Sequence, residues 1–337
     1  MESLDLRVLS DALAWKKAGH AVTLVTVVET WGSAPRPPGA LLAVRDDGQV
    51  SGSVSGGCVE DDLIARTKAS LNQPEFQRPV RPAMIAYGVS KEEAARFGLP
   101  CGGTLRLVQE PLGDTTWISQ VLERTADHQL VERTLVLATG EVFLGEARRG
   151  QAMAFDGNRL STLFGPRWRL LLVGAGQLSQ AVADMALALD FEVLVCDPRE
   201  EYAQTFSSHA RALVRRVPGM PDDVVREMRP DSHTAILALT HDPKLDDMAL
   251  LEALTSDAFY VGALGSRRNQ ETRKKRLAEH FDLKAQQLAR LHGPVGLRIG
   301  ARTPAEIAVS IVAELVQAKN SAGTGLMADA TVAAAVA

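Results

Sequence analysis

Cysteine is scarce in this chain: Cys58, Cys101 and Cys196 are the three in 337 residues. None forms a C-x-x-C pair, and Cys58 and Cys101 lie too far apart for a zinc knuckle of the usual spacing. A disulfide framework is also disfavoured, and so thiol-poor a chain suits a reducing compartment. Charge of one sign is not in excess. With 37 basic against 41 acidic side chains the formal charge is −4, which recommends neither nucleic acid nor an anionic membrane as a partner. No apolar run reaches the roughly 18 to 20 residues of a membrane span, and Met1 to Gly19 lacks a basic-then-apolar leader pattern. No repeat at solenoid spacing is visible. The expectation is a cytoplasmic, globular protein whose 46% hydrophobic content can build a sizeable core, with length a soft prior for about two domains.

Two of the cysteines stand beside paired glycines. In Gly52-Ser53-Val54-Ser55-Gly56-Gly57-Cys58-Val59-Glu60 the residues are too small to fill a core. Val59, Leu63 and Ile64 then begin a helical pattern, so the loop amides are expected at a helix N-terminus that welcomes an anion or oxo group. The same position lowers a thiol pKa and suits Cys58 to a soft metal or sulfur species; taken alone, Cys58 reads equally well as a small packed residue. Phe97-Gly98-Leu99-Pro100-Cys101-Gly102-Gly103-Thr104 repeats the arrangement before a strand-like run. Cys196, at the end of an apolar run, is expected to pack.

Leu4 to Ala18 predicts a helix stopped by Gly19, and His20 to Val28 a buried strand. Thr30 to Gly39, with three prolines, predicts a shaped loop in which Arg36 either grips an anionic ligand or is solvated. A hairpin from Ala40 to Val50, a helix from Val59, a strand at Arg81 to Tyr87, a capping box at Ser90 to Glu93, a strand at Thr104 to Glu110, a helix at Thr116 to Ala126 and a hairpin around Thr139-Gly140 complete a first domain, residues 1–147. Residues 148–168 lack sustained periodicity and are taken as a linker.

Residues 169–319 read as a Rossmann-like domain. Arg169 to Val173 is a strand, Gly174-Ala175-Gly176 a glycine-rich turn, Gln180 to Leu189 a helix, and Glu192 to Cys196 a second strand ending in Asp197. In that pattern Gly174 permits the tight turn, Gly176 lets a pyrophosphate approach, and Asp197 stands where a ribose hydroxyl is bonded. Ser179 replaces the usual third small residue of the motif. Strand and helix continue to alternate as far as Phe259 to Ala263, which implies a parallel sheet with ligands at the carboxyl ends of its strands. Those ends carry Thr240-His241-Asp242, read either as a ligand site or as a helix cap, and Arg267-Arg268, able to face a phosphate. Arg273, Lys274, Lys275 and Arg276 read as a solvated face. Gly293 to Pro304 is another glycine-rich passage, with Thr303 and Pro304 opening a helix to Gln317. Residues 320–337 are expected to be a disordered tail. The fold class is α/β: an N-terminal α/β domain plus a C-terminal Rossmann-like parallel-sheet domain.

Val27 to Arg36, Gly52 to Glu60, Cys101-Gly102-Gly103-Thr104, Val173 to Gly176, Tyr260 to Arg268 and Gly296 to Pro304 together resemble the XdhC/CoxI family of accessory proteins for molybdenum hydroxylases such as xanthine dehydrogenase and aldehyde oxidoreductase. The resemblance implies a chaperone, not a turnover enzyme, that binds the molybdenum cofactor (molybdopterin, in its plain or cytosine dinucleotide form). It would protect the cofactor while a cysteine desulfurase installs its sulfido ligand and deliver it to the large subunit of an apo-hydroxylase; relatives tend to be homodimers. Soft thiolates suit molybdenum with sulfur ligands, and glycine-rich amides suit its phosphates. The expected cofactor contacts are Cys58, Cys101, Arg36, Gly56, Gly57, Gly102, Gly103, Gly174, Gly176, Asp197 and Arg267, with Cys58 and Cys101 nearest the metal. The competing reading is an NAD(P)-dependent oxidoreductase built on the Gly174 turn.

Overall fold

The computed structural model describes residues 3–30, 36–57, 59–74, 77, 79–88, 104–148, 151–206 and 213–324. The chain divides into two compact units, Met1–Pro166 and Arg167–Ala337.

In the first unit β1 (Val22–Thr30), β2 (Leu41–Arg45), β3 (Val50–Gly52), β4 (Ala83–Tyr87) and β5 (Leu105–Pro111) form an antiparallel sheet in the order β3-β2-β1-β5-β4. β1 is central and buried over most of its length, because both of its faces are covered. Val22 and Leu24 join Leu41 and Ala43 against Val8, Leu9 and Ala12 of α1 (Ser3–Lys17) and Ile118 and Val121 of α3 (Thr116–Ala126). Val25 and Val27, pointing the other way, join Leu42 and Val44 against Val59 and Leu63, where α2 (Glu60–Leu71) begins. Period-2 side-chain direction thus turns one apolar run into two cores.

A second antiparallel sheet, β7-β6-β9-β8, contains β6 (Val131–Val136), β7 (Val142–Glu146), β8 (Ala154–Phe155) and β9 (Arg159–Phe164). Its last two strands lie in residues 148–168, the stretch expected to be a linker. β9 pairs along the whole of β6, and Leu160, Thr162 and Phe164 alternate inward. A polar Thr162 among the inward positions and an apolar Leu163 among the outward ones hide that alternation from a search for apolar runs.

Across the first unit's interior the Arg133 guanidinium, 1% exposed, meets both Glu110 carboxylate oxygens at 2.5 and 2.6 Å and lies 3.9 Å above the Trp117 ring.

The second unit is doubly wound. β10 (Arg169–Val173), β11 (Glu192–Cys196), β12 (Arg215–Arg216), β13 (Thr234–Ala238), β14 (Tyr260–Ala263) and β15 (Leu291–His292) form a parallel sheet in the order β12-β11-β10-β13-β14-β15. Leu170, Leu172, Ala235 and Leu237 pack under α4 (Gln177–Ala188) and α10 (Pro304–Thr324). Leu171, Val173, Ile236 and Ala238 pack under α6 (Pro221–Met228), α7 (Pro243–Thr255) and α8 (Arg267–Phe281). Two shorter helices, α5 (Glu200–Thr205) and α9 (Ala285–Ala289), fill connections.

Two expectations shift here. The strand placed at Ala212 to Val214 is instead the short β12, paired with Leu194 and Val195. The final helix runs past Gln317 to Thr324, so the expected tail is helical over 320–324; Ala318 packs against the core and the Lys319 ammonium sits 5.7 Å over the Trp168 ring. Residues 325–337 lie outside the described residues.

Removing one member of a buried ion pair leaves the other charge without compensation. Arg133→Met is expected to destabilise the first unit by about 3–5 kcal/mol, and Arg133→Met with Glu110→Leu by distinctly less. Urea unfolding of the full chain measures both; equal losses in the single and double variants would contradict the pair's role.

Candidate functional site

The loop before α2 is organised around a carboxylate. Glu60, the first residue of the helix, turns back so that Oε1 accepts the Ser53 hydroxyl at 2.7 Å and the amides of Val54, Ser55 and Gly56 at 3.1, 2.8 and 3.1 Å. Its Oε2 accepts the Gly57 amide at 2.9 Å and the Ser55 hydroxyl. Gly56 and Gly57 take φ of 76° and 116°, which glycine alone adopts without strain. Burial pushes the Glu60 carboxyl up, yet the bonds from Ser55 and Ser53 outweigh it and hold the group down at about 2. The amides expected to greet an external anion are therefore engaged by the protein's own. Cys58, Cys101, Gly102, Gly103 and the capping box at 90–93 lie outside the described residues. Arg36, 16% exposed, brings its guanidinium to 4.0 Å from Asp5 Oδ1, the oxygen that also accepts the Leu41 amide.

In the second unit the chain reverses direction across the sheet between β10 and β13, and the Gly174 turn stands there. Gly174 has φ 110°, and a Cβ on it would lie 3.1 Å from the backbone of Leu239 and Thr240. Only glycine lets these two strand ends approach so closely. Beyond them opens a cleft of about 720 Å³, lined by Gly176, Gln177 and Leu178 at the start of α4, by Arg199 and Tyr202, by Thr240, His241 and Asp242, and by Pro304. α4 has no side-chain cap and no acid in its first turn, so its leading amides face the cleft with the positive end of the helix dipole.

Asp197, expected to meet a ribose, points inward instead. Its side chain is 0% exposed. Oδ2 accepts the Ala175 amide and Arg199 Nη2, both at 2.9 Å, while Oδ1 accepts the Arg199 amide at 3.1 Å and Nε at 2.9 Å. Burial raises this carboxyl and the Arg199 and Ala175 bonds more than reverse it, leaving its pKa lowered. Arg199 in turn lies 4.1 Å from the Tyr202 ring centre.

On the opposite wall, Asp242 caps α7 by accepting the Lys244 amide at 2.9 Å, the capping alternative, and His241 is held at φ 63°. Thr240 donates to the buried Asp246 at 2.7 Å, which also receives Arg273 at 3.0 Å. Arg273 is thus not part of a solvated face. With Gln270 and Leu277 it forms the inward stripe of α8, and it also lies 3.3 Å from Asp247, which Arg276 meets at 2.6 Å. Arg267 opens α8 behind the Ser266 cap and is exposed; it is not among the residues lining the cleft.

The Gly293 to Pro304 passage is likewise held internally. Glu314 accepts the Gly296 amide at 2.5 Å, the Tyr260 hydroxyl at 2.7 Å and His292 Nδ1 at 2.8 Å. Cys196 is packed as expected, its thiol pushed up to about 12 by burial and then by Asp197 and Asp222.

Sequence reading missed Glu60, Arg199, Tyr202 and Glu314. The available signals were an acid three residues after a glycine pair and an arginine two residues after the strand-end aspartate. No cluster of three potential metal ligands occurs among the described residues, and no described helix is long and apolar enough to cross a membrane.

A doubly wound sheet with a glycine turn and a cleft at its reversal point, joined to a second α/β unit, defines a protein of the dinucleotide-fold class. Residues 15–81 match the family model described as XdhC and CoxI family, and residues 170–315 the one described as XdhC Rossmann domain. The chain is 30% identical over 301 residues to the molybdenum cofactor insertion chaperone PaoD of Escherichia coli K12, covering 88% of this chain and 83% of PaoD. It is 28% identical over 327 residues to a probable xanthine dehydrogenase subunit of Bacillus subtilis 168, covering 88% and 92%. YqeB of E. coli matches at 26% over 329 residues, 96% of this chain but 48% of YqeB, so the chain spans about half the length of that relative. A Bacillus halodurans crystal structure described as a xanthine dehydrogenase shares the fold, with a TM-score of 0.74, 24% identity and coverage of 95% and 96%. This chain belongs to the XdhC and CoxI family.

Glu60 supplies a pH test. Its folded pKa lies below the 4.5 of an ordinary glutamate, so its bonds stabilise the fold above that pH, and the contribution is lost as pH falls towards 2. Glu60→Gln is expected to cost about 1–2 kcal/mol at pH 7, after allowance for partial solvent screening. In denaturant titrations the gap to the unsubstituted protein should close on acidification; a gap of constant size from pH 7 to pH 3 would contradict the assignment.

Proposed function

We propose that this chain is a molybdenum cofactor chaperone: it binds the cofactor, protects it while a cysteine desulfurase supplies the sulfido ligand, and delivers it to the large subunit of an apo molybdenum hydroxylase. The observation that carries this reading is the 30% identity to a molybdenum cofactor insertion chaperone over most of both chains. Cys58 and Cys101 are the proposed soft contacts to the metal or its sulfur, with Arg36, Gly56, Gly57, Gly102 and Gly103 around them. Gly174 and Gly176 are proposed to hold the nucleotide end of a cytosine dinucleotide form, and Arg267 to offer a further positive group. The chemistry of the cleft fits that end: uncapped amides, a turn of two glycines and a buried alanine, and an arginine over an aromatic ring suit phosphates and a base. The protein is proposed to work in the cytoplasm as a homodimer.

The second reading, an NAD(P)-dependent oxidoreductase, draws on the strand order and the Gly174 turn. Turnover of a carbonyl substrate with NADH would favour it.

Protein expressed in a host that makes the cofactor is expected to co-purify with molybdenum and pterin. Cys58→Ala and Cys101→Ala should each lower both contents several-fold, and the double variant more. Metal analysis and pterin fluorescence measure this; full loading of the double variant would refute the thiol assignment.

A further inference from the structure

We propose that the cleft at the Gly174 turn takes a nucleoside diphosphate by its phosphates and base without reading its ribose hydroxyls, and that Arg199 causes this indifference. The inference rests on the proposal that the cleft holds the nucleotide end of the cofactor, and it deepens that proposal.

In sheets of this strand order, the acid ending the second strand ordinarily bonds the ribose hydroxyls of a nucleotide held on the glycine turn. Asp197 occupies that position, but it is closed to the task. An ionised carboxylate offers about four lone-pair directions, and four donors already fill them: the Ala175 amide, the Arg199 amide and two guanidinium nitrogens of Arg199. Three of the four are tied to one residue two positions along the chain. With the side chain 0% exposed, a ribose hydroxyl would have to displace a charge-assisted bond and reach a buried oxygen, for a weaker neutral donor in exchange.

The donors that face the cleft are of another kind. The first turn of α4 has neither cap nor acid, and the amides there suit a diphosphate. Arg199 engages Asp197 through Nε and Nη2, leaving Nη1 outside that pair. Its side chain is 26% exposed, and the guanidinium, with its carbon 4.1 Å from the Tyr202 ring centre, offers a wall on which a base can lie. The cleft volume of about 720 Å³ is within the range of small-ligand sites.

Titration calorimetry on the full chain with CDP, 2′-deoxy-CDP and CMP tests this. The two diphosphates should bind within about twofold of each other, and CMP about tenfold more weakly, having lost one phosphate from the amides. Arg199→Ala removes the two guanidinium bonds to Asp197, freeing one lone pair on each of its oxygens, and should create a preference for CDP over 2′-deoxy-CDP of about fivefold or greater, whatever the absolute affinities. A tenfold or larger preference for CDP in the unsubstituted protein would overturn the inference while leaving the nucleotide cleft intact. Continued indifference in Arg199→Ala would overturn the role given to Arg199. Absence of binding by either diphosphate would remove the nucleotide cleft itself and the inference with it. The unsubstituted protein alone decides the first and last outcomes, so a variant that fails to fold does not rescue the proposal.

Discussion

Polar turns in this protein are held by carboxylates that the chain itself supplies. Glu60 gathers the amides of residues 54–57, Asp197 ties the Gly174 turn through the Ala175 amide, Asp246 fixes Thr240, and Glu314 anchors Gly296. A glycine-rich segment loses much conformational entropy on ordering and has no side chains with which to recover it. A charged acceptor that collects several amides at once offsets that loss, since bonds to ionised groups are about twice as strong as neutral ones. Loops that would otherwise wander become fixed surfaces.

The same constraint shapes the cleft of the second unit. Its floor is set by the approach of Gly174 to Thr240; Arg199, paired with the buried Asp197, lines one flank, and Thr240, held by the buried Asp246, lines the other. On each flank a buried carboxylate thus holds a residue of the lining in place. The uncapped first turn of α4 remains as the dominant positive element between them. A site of this form selects for anionic groups by position more than by net charge.

Much of the fold was legible in the residues, because burial on both faces leaves a plain signature. β1 and β10 read as continuous apolar runs and are buried strands, and the alternation of strand and helix after Arg169 led to the parallel sheet. β9 was obscured because its inward positions are shared among Leu160, Thr162 and Phe164, a set that no hydropathy pattern isolates. The site was legible only in outline. Gly174 and Gly176 were found through their motif, but Asp197 was assigned by position in that motif, and position does not say which donors a carboxylate will collect. Arg199 and Glu60 escaped for the same reason: near a helix start, an arginine reads as a surface charge and a glutamate as a complement to the dipole. Arg273 vanished into a basic run whose inward period shows only when Gln270 and Leu277 are placed beside it.

The burial of Cys196 has a practical corollary for work on the other two thiols. With its sulfur sealed beneath Gly219 and its ionisation displaced to about 12, that side chain stays mute towards alkylating and mercurial reagents near neutral pH while the fold is intact. Any label the native chain accepts under those conditions therefore reports on Cys58 or Cys101, and the protein can be footprinted with thiol chemistry without first engineering a cysteine away.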